Sequence, residues 1–236
     1  MKALFFAGTD TGAGKTVVTG CLARYLSESG RNVITQKWIQ TGCDSSLASD
    51  IRAHLKLMGR NINDVREYLP HLAPYVFRAA ASPHFAAEKE DKVIDVNRIV
   101  KSFKFLSGRF DFVIVEGIGG TLVPFNRKRL VIDIVRDLDL PVLVVAGNRL
   151  GAINHTLLTV ESLTSRKIKV LGIVFNNLER ENRDILEDNP EIISELTGKR
   201  VFGVLPQQGK VLPQQGSYEK LYKKFVPIGK AISEAL

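Results

Sequence analysis

Cysteine is nearly absent: Cys21 and Cys43 are the only two in 236 residues. No metal-ligand spacing surrounds either, which excludes a cysteine-based metal centre and leaves two free thiols as the expectation. Long apolar runs are absent as well, since none approaches the roughly 20 residues that a membrane helix needs. Lys2 is followed by only five apolar or small residues before Gly8, too few for a signal peptide. No membrane partner and a cytoplasmic location are therefore expected. Acid is in deficit, with 25 Asp and Glu against 33 Lys and Arg and a net charge of +8. The basic residues are scattered and no nucleic-acid-binding module accompanies them, so small anionic ligands are expected and nucleic acid is not.

What is present suits one substantial domain over residues 1–236, with 44 % hydrophobic and 25 % charged residues. A chain of this size buries roughly 70 to 75 % of its unfolded surface. Its organising stretch is Gly8 to Thr16, GTDTGAGKT. Ahead of it, Leu4 to Ala7 is a continuously apolar run of the kind a buried parallel strand needs. Behind it, Val17 to Ser29 places apolar residues at helical spacing. Strand, glycine-rich turn and helix in that order make a phosphate cradle. The amides from Gly12 to Thr16 converge at a helix N-terminus, where unpaired N–H groups and the helix dipole favour a polyphosphate. Lys15 adds charge at the β and γ phosphates, and the Thr16 hydroxyl is placed to ligate Mg²⁺. The strict pattern GxxxxGK[ST] has glycine where this chain has Thr9, and Gly8 stands one residue early. Asp10 separates the chain from the partitioning and septum-site ATPases, which carry a second lysine there.

Further along, Gly30 closes the first helix and Asn32 to Gln36 reads as a second strand, followed at once by Lys37. Ligands collect beyond the carboxyl ends of strands in open α/β sheets, so Lys37 can face the same crevice. Thr41 and Gly42 continue a loop, and Ser45 to Met58 has helical spacing with Asp50 in its first part. Ser82 and Pro83 read as N-cap and first residue of another helix, with His84 in the capping turn. Asp95 to Leu106 is amphipathic, with Val96, Ile99, Val100 and Phe103 on one face. Phe110 to Val115 is an apolar strand ending in Glu116, Gly117, Ile118, Gly119 and Gly120, an acidic strand end of the kind that holds Mg²⁺ beside phosphates. Leu130 to Asp137 reads as a helix and Pro141 to Ala146 as a buried strand. Gly147 to Leu158 reads as a turn into a helix, running to about Arg166, whose start offers a second anion site. Asn154 can cap or contact a ligand there, and His155 is expected to be packed. Ile168 to Phe175 is a strand ending in Asn176 and Asn177, whose amides can pair with a nucleotide base. A helix from Glu181 to Thr197, a strand from Arg200 to Leu205 and a helix from Tyr218 to Leu236, interrupted at Pro227, complete the chain. VLPQQG at Val204 to Gly209 recurs at Val211 to Gly216. Strands alternating with helices throughout predict one doubly wound, mostly parallel sheet flanked by helices.

GTDTGAGKT, Lys37 with Thr41 and Gly42, Asp50, ASPH, VEGIGG, LGAINH and Asn176 occur together, in order, over roughly 200 residues. In this the chain resembles the dethiobiotin synthetase family, whose own loop form carries the early glycine. Trp38 stands where that family usually has proline. The resemblance implies an ATP- and Mg²⁺-dependent ring closure that converts 7,8-diaminononanoate and CO₂ (from bicarbonate) into dethiobiotin, ADP and phosphate, by way of a carbamate and a carbamic–phosphoric anhydride. It implies Lys37 and Lys15 as the catalytic cations and Thr16, Asp50 and Glu116 as metal ligands. ATP would lie along Thr11, Gly12, Ala13, Gly14, Lys15, Thr16, Val17, Asp50, Glu116, Gly117, Ile118 and Gly119. Asn176, Asn177, Pro206, Gln207 and Gln208 would border its base. Thr41, Gly120, Leu150, Gly151 and Asn154 would contact the substrate, the last three from the other subunit of a homodimer with active sites at its interface. The competing readings are a synthetase of the cobyrinic acid or CTP synthetase kind and a non-enzymatic nucleotide switch. The first normally carries a glutaminase domain for which the chain has no room. The second needs a basic stripe or an amphipathic anchor, and neither is present.

Overall fold

The computed structural model describes residues 2–45, 47–207 and 215–236. The chain begins with β1 (Ala3–Gly8), α1 (Lys15–Glu28), β2 (Val33–Lys37), the short β3 (Ile39–Gln40) and α2 (Ser49–Met58). After a 3-10 turn at Ile62–Tyr68 come α3 (Leu69–Leu72), the short β4 (Tyr75–Val76), α4 (Pro83–Lys89), α5 (Val96–Ser107) and β5 (Phe112–Glu116). A hairpin of β6 (Pro124–Asn126) and β7 (Arg129–Leu130) leads through α6 (Val131–Asp137) to β8 (Val142–Gly147) and α7 (Ala152–Thr164). The chain closes with β9 (Val170–Asn176), α8 (Arg183–Thr197), β10 (Val201–Leu205) and α9 (Gln215–Ala235).

Alternation along β1 sets the layering. Leu4 and Phe6 join an apolar cluster with Val18, Leu22, Leu26 and Phe225 from α1 and α9. Ala3, Phe5 and Ala7 join the opposite cluster with Trp38, Ile99, Phe103 and Val160. Successive side chains of a strand point to opposite faces, so a strand buried on both sides must be apolar throughout. Six strands form the parallel sheet in the order β10, β9, β8, β1, β5, β2. From β1 the chain builds first to one side and then to the other. The crevice beyond the carboxyl end of β1 is therefore a topological switch point, where ligands of such sheets bind. Gly8, Lys37, Glu116 and Asn176 end their strands at that rim.

Several sequence expectations change. The helix expected from Ser45 starts at Ser49. Ahead of it, the N–H groups of Gly42 and Cys43 donate to Ala79 O and Phe77 O at 3.1 and 3.0 Å, which ties the loop before α2 to the segment after β4. Pro227 does not interrupt the last helix, because α9 runs through it. The hydrogen bond it removes is offset by burial of Leu221, Tyr222, Phe225, Ile228 and Ile232, each contributing about 1.5–3 kcal/mol. His155 is exposed rather than packed. Lys37 is the last residue of β2, not the first of a loop. Both cysteines are free and buried, and burial pushes the Cys21 thiol up to about 12. Among the described residues no helix is long and apolar enough to cross a membrane.

Candidate active site

The turn between β1 and α1 is built on Gly14, the N-cap of α1, at φ 89°. This is left-handed backbone that favours glycine. A Cβ there would also lie 1.8 Å from Asn176 Nδ2, so the amide of the β9 end packs directly over the turn. Asn176 Nδ2 donates to Ala13 O at 3.4 Å. At the other end of the turn, Asp10 Oδ1 accepts from Thr11 N at 2.6 Å. The first amides of α1 have no intrahelical acceptor and converge on the rim. Lys15 folds back over the turn and donates to Asp10 O at 3.1 Å and Gly119 O at 3.0 Å. Burial, with the Lys37 charge beside it, lowers its pKa to about 8.

Beside the turn lies a buried charge cluster that follows from sheet register. β2 and β5 pair with Lys37 opposite Glu116. Lys37 Nζ donates to Glu116 Oε1 and Gly117 O, both at 2.8 Å, and pairs with Asp50 Oδ2 at 2.7 Å. These three contacts use all three ammonium protons. Glu116 Oε1 also accepts from Thr16 Oγ1 at 3.0 Å, while Oε2 is bound by His54 Nε2 at 2.6 Å. Burial acts to raise the Glu116 pKa, but Lys37 and His54 outweigh it and hold the carboxyl well below the usual range. For Lys37 burial acts to lower the pKa, and Glu116 and Asp50 together keep it above the ordinary lysine value. The end of β2 at Lys37 is anchored by Trp38, which is buried against Phe5 with ring centroids 5.1 Å apart and donates from Nε1 to Gln36 Oε1 at 3.0 Å. Proline has neither the aromatic ring nor the N–H donor to do this.

A cavity of about 650 Å³ joins these groups, bordered by Thr11, Gly12, Gly14, Lys15, Thr16, Lys37, Thr41, Asp50, Glu116, Ile118 and Gly119 among others. Gly117 reaches the cluster through its carbonyl, Gly120 lies against the Gly8 and Thr9 carbonyls, and Ala13 is buried beneath the turn. Val17 is half-buried in the first turn of α1. Asn177 lies to one side, with N–H on Leu205 O and Oδ1 accepting from Asn148 Nδ2 at 3.0 Å. Pro206 and Gln207 follow β10, and Gln208 lies outside the described residues. Leu150, Gly151 and Asn154 do not border this cavity. They sit at the start of α7, beside Arg149, whose Nη2 is 3.6 Å from Asp10 Oδ2 of the glycine turn. A larger cavity of about 780 Å³, bordered by Tyr75, Phe77, Lys92 and Arg98, contains none of the glycine-turn residues. Two participants escaped sequence reasoning. Gln40 Oε1 accepts from Asp50 N at 3.2 Å at the start of α2, and His54 lies four residues beyond Asp50 on the same helix. The available signal was two polar residues at i and i+4 on an otherwise apolar helix face.

A parallel sheet whose first strand runs through a glycine turn into a helix, with lysine and threonine opening that helix and a buried acid ending a neighbouring strand, defines a P-loop NTPase-type protein. The fold matches solved structures of that kind. These include a Pyrococcus furiosus cell division ATPase MinD at TM-score 0.60 and 18 % identity, covering 100 % of both chains. They also include pNOB8 ParA bound to nonspecific DNA, at TM-score 0.62 and 12 % identity, covering 99 % and 98 %. At such identities the likeness concerns the fold alone. The AAA domain family model matches residues 2–215. An ATP-dependent dethiobiotin synthetase of Chlorobaculum tepidum is 42 % identical over 205 residues, 87 % of this chain and 85 % of the relative. One from Haemophilus influenzae is 39 % identical over 175 residues, 74 % and 91 %. The chain belongs to the dethiobiotin synthetase family of ligases.

Proposed function

We propose that the chain, acting as one domain, closes a cyclic urea on 7,8-diaminononanoate with CO₂ and ATP, releasing dethiobiotin, ADP and phosphate. The observation that carries this reading is the convergence of Lys15, Lys37, Thr16, Asp50 and Glu116 on one cavity in a chain related to ATP-dependent dethiobiotin synthetases. In the proposed sequence a neutral amine takes up CO₂ and loses a proton to give a carbamate. A carbamate oxygen bonds to the γ-phosphorus as the bond to ADP breaks. The second amine then attacks the carbamate carbon, the C–O bond to phosphate breaks and the nitrogen loses its proton.

Two anions must meet in the first phosphoryl step, so cations fixed at the rim lower the barrier chiefly by electrostatics. Lys15 serves the β and γ phosphates. Lys37, on the far side of Glu116 from the glycine turn and held by Glu116 and Asp50, serves carbamate and γ-phosphate together. The amides from Gly12 to Thr16 cradle the phosphates with Thr11 and Val17 flanking them, Gly117, Ile118 and Gly119 run along them, and Asn176, Asn177, Pro206 and Gln207 border the base. Thr41 and Gly120 contact the diamine. The donors fit Mg²⁺: the Thr16 hydroxyl and the Glu116 carboxylate are hard oxygen donors set side by side at the rim. Asp50, one-quarter exposed, supplies a second carboxylate. Mg²⁺ bound there would offset charge on the transferring phosphoryl group. Among the described residues no three His, Cys, Asp or Glu side chains form a metal cluster, as suits an ion that takes one or two carboxylates and fills its shell with water and phosphate.

A homodimer completes the reading. Leu150 and Leu158, 75 % and 56 % exposed at and along α7, are assigned to the face a second copy would cover. The turn at Leu150 already holds a carboxylate, since Leu150 N donates to Glu181 Oε2 at 3.0 Å. We assign the same turn, with Gly151 and Asn154, to the carboxylate of the partner's substrate. The test is incubation of purified protein with diaminononanoate, bicarbonate, Mg²⁺ and ATP, followed by mass analysis. A product heavier than the diamine by one carbonyl less two hydrogens, with equimolar ADP, is expected. ATP hydrolysis without that product would refute the reading.

A further inference from the structure

His54 is wholly buried in α2, and its ring takes no part in the chemistry above. Nε2 lies 2.6 Å from Glu116 Oε2. Among the described residues Nδ1 has no hydrogen-bond partner. A carboxylate oxygen accepts, so the Nε2–H donates in this 2.6 Å contact. A buried nitrogen without a partner is unfavourable, and leucine would fill the helix face without that penalty. Packing therefore does not account for a histidine here, and the Nε2 contact does.

The two oxygens of Glu116 are divided between two jobs. Oε1 faces Thr16 and Lys37 at the cavity, and Oε2 is tied from behind by α2. We propose that His54 is a positioning residue that fixes the Glu116 carboxylate so that a single oxygen, Oε1, is offered to the metal. The inference rests on Glu116 being a ligand of Mg²⁺. α2 then serves the site twice, four residues apart, with Asp50 on Lys37 and His54 on Glu116. Partners behind a ligand set its orientation and its affinity for the ion.

The test uses Mn²⁺ as a paramagnetic probe, titrated into the full-length protein–ADP complex and read by electron paramagnetic resonance. His54→Gln places an amide N–H where Nε2 stands. His54→Asn places one only where Nδ1 stands. The asparagine variant is expected to bind Mn²⁺ about 10- to 100-fold more weakly, and the glutamine variant to stay within roughly threefold of the wild type. ADP affinity in the presence of chelator is expected to be the same for all three. Should His54→Asn fail to fold, His54→Leu replaces it as the variant without a donor. Wild-type Mn²⁺ affinity in the variant without a donor overturns the proposal, as does equal weakening in the glutamine variant, which would mark a packing role. If Glu116→Gln itself leaves Mn²⁺ affinity unchanged, the reading of Glu116 as a ligand fails and the proposal falls with it.

Discussion

Replacing Lys37 by methionine should destabilise the fold measurably, in a way that reveals the charge cluster. Methionine fills the channel of the lysine stem, so the main loss is the ammonium and its contacts at 2.7 to 2.8 Å with Asp50, Glu116 and Gly117 O. Removing one partner of a buried pair costs roughly 3–5 kcal/mol. The lower end applies here, because Glu116 keeps its hydrogen bonds from Thr16 and His54 and Asp50 is partly exposed. At about 2–4 °C per kcal/mol for a chain of this length, Tm should fall by about 6–12 °C. Adding Glu116→Gln should recover a large part of that loss, since the uncompensated carboxylate is then gone. The pH dependence has a definite sign. Glu116 is depressed, so its contribution is present above the unfolded-state carboxylate value and lost as pH falls through the folded one. Lys37 is raised, so its contribution is present below the unfolded-state lysine value and lost as pH rises through the folded one. The deficit should therefore be flat only between about pH 6 and 7, below the range in which Lys15, whose value of about 8 depends in part on the Lys37 charge, begins to titrate. Scanning calorimetry of wild type, single and double variants checks this. A Tm for Lys37→Met at or above that of the wild type, or a double variant less stable than both singles, would refute the reasoning.

Other outcomes follow from the same geometry. With the Lys15 pKa lowered to about 8 by burial and the nearby Lys37, its charge in the free protein is lost as pH rises through that value. The kcat/KM for nucleotide should thus decline above about pH 8, while kcat, measured with phosphate beside the lysine, should hold to higher pH; a flat kcat/KM to pH 9.5 would count against it. Gly14→Ala forces a side chain onto left-handed backbone and into Asn176 Nδ2, so nucleotide KM should rise at least tenfold in steady-state assays, with chain stability reduced by at least about 1–2 kcal/mol. Trp38→Ala empties a buried site against Phe5 and should cost about 3–5 kcal/mol in urea unfolding. Because Trp38 is the single tryptophan and adjoins Lys37, intrinsic fluorescence should report binding at the cavity, and emission insensitive to nucleotide and diamine would contradict that placement.

Much of the scaffold was legible from residues near one another in the chain. Leu4 to Ala7 and Pro141 to Ala146 are unbroken apolar runs, and Val170 to Phe175 is one broken only by Gly172, because their strands are covered on both faces. The glycine turn was visible because strand, turn and helix are contiguous. The β6–β7 hairpin was not, since its Arg127–Lys128 turn carries no Asn-Gly or Asp-Gly signal. The continuity of α9 through Pro227 was not either, because long-range packing there overrides a local preference against helix.

Local pattern alone was enough to establish a doubly wound sheet with a phosphate-binding turn, because backbone periodicity and glycine chemistry act over a few residues. The meeting of Lys37 with Glu116, 79 residues apart, depends on which strands pair and in what register. The role open to His54 depends on α2 lying against the end of β5. Those contacts are set by how distant segments bury their apolar faces together, and no short stretch of chain encodes such a choice by itself.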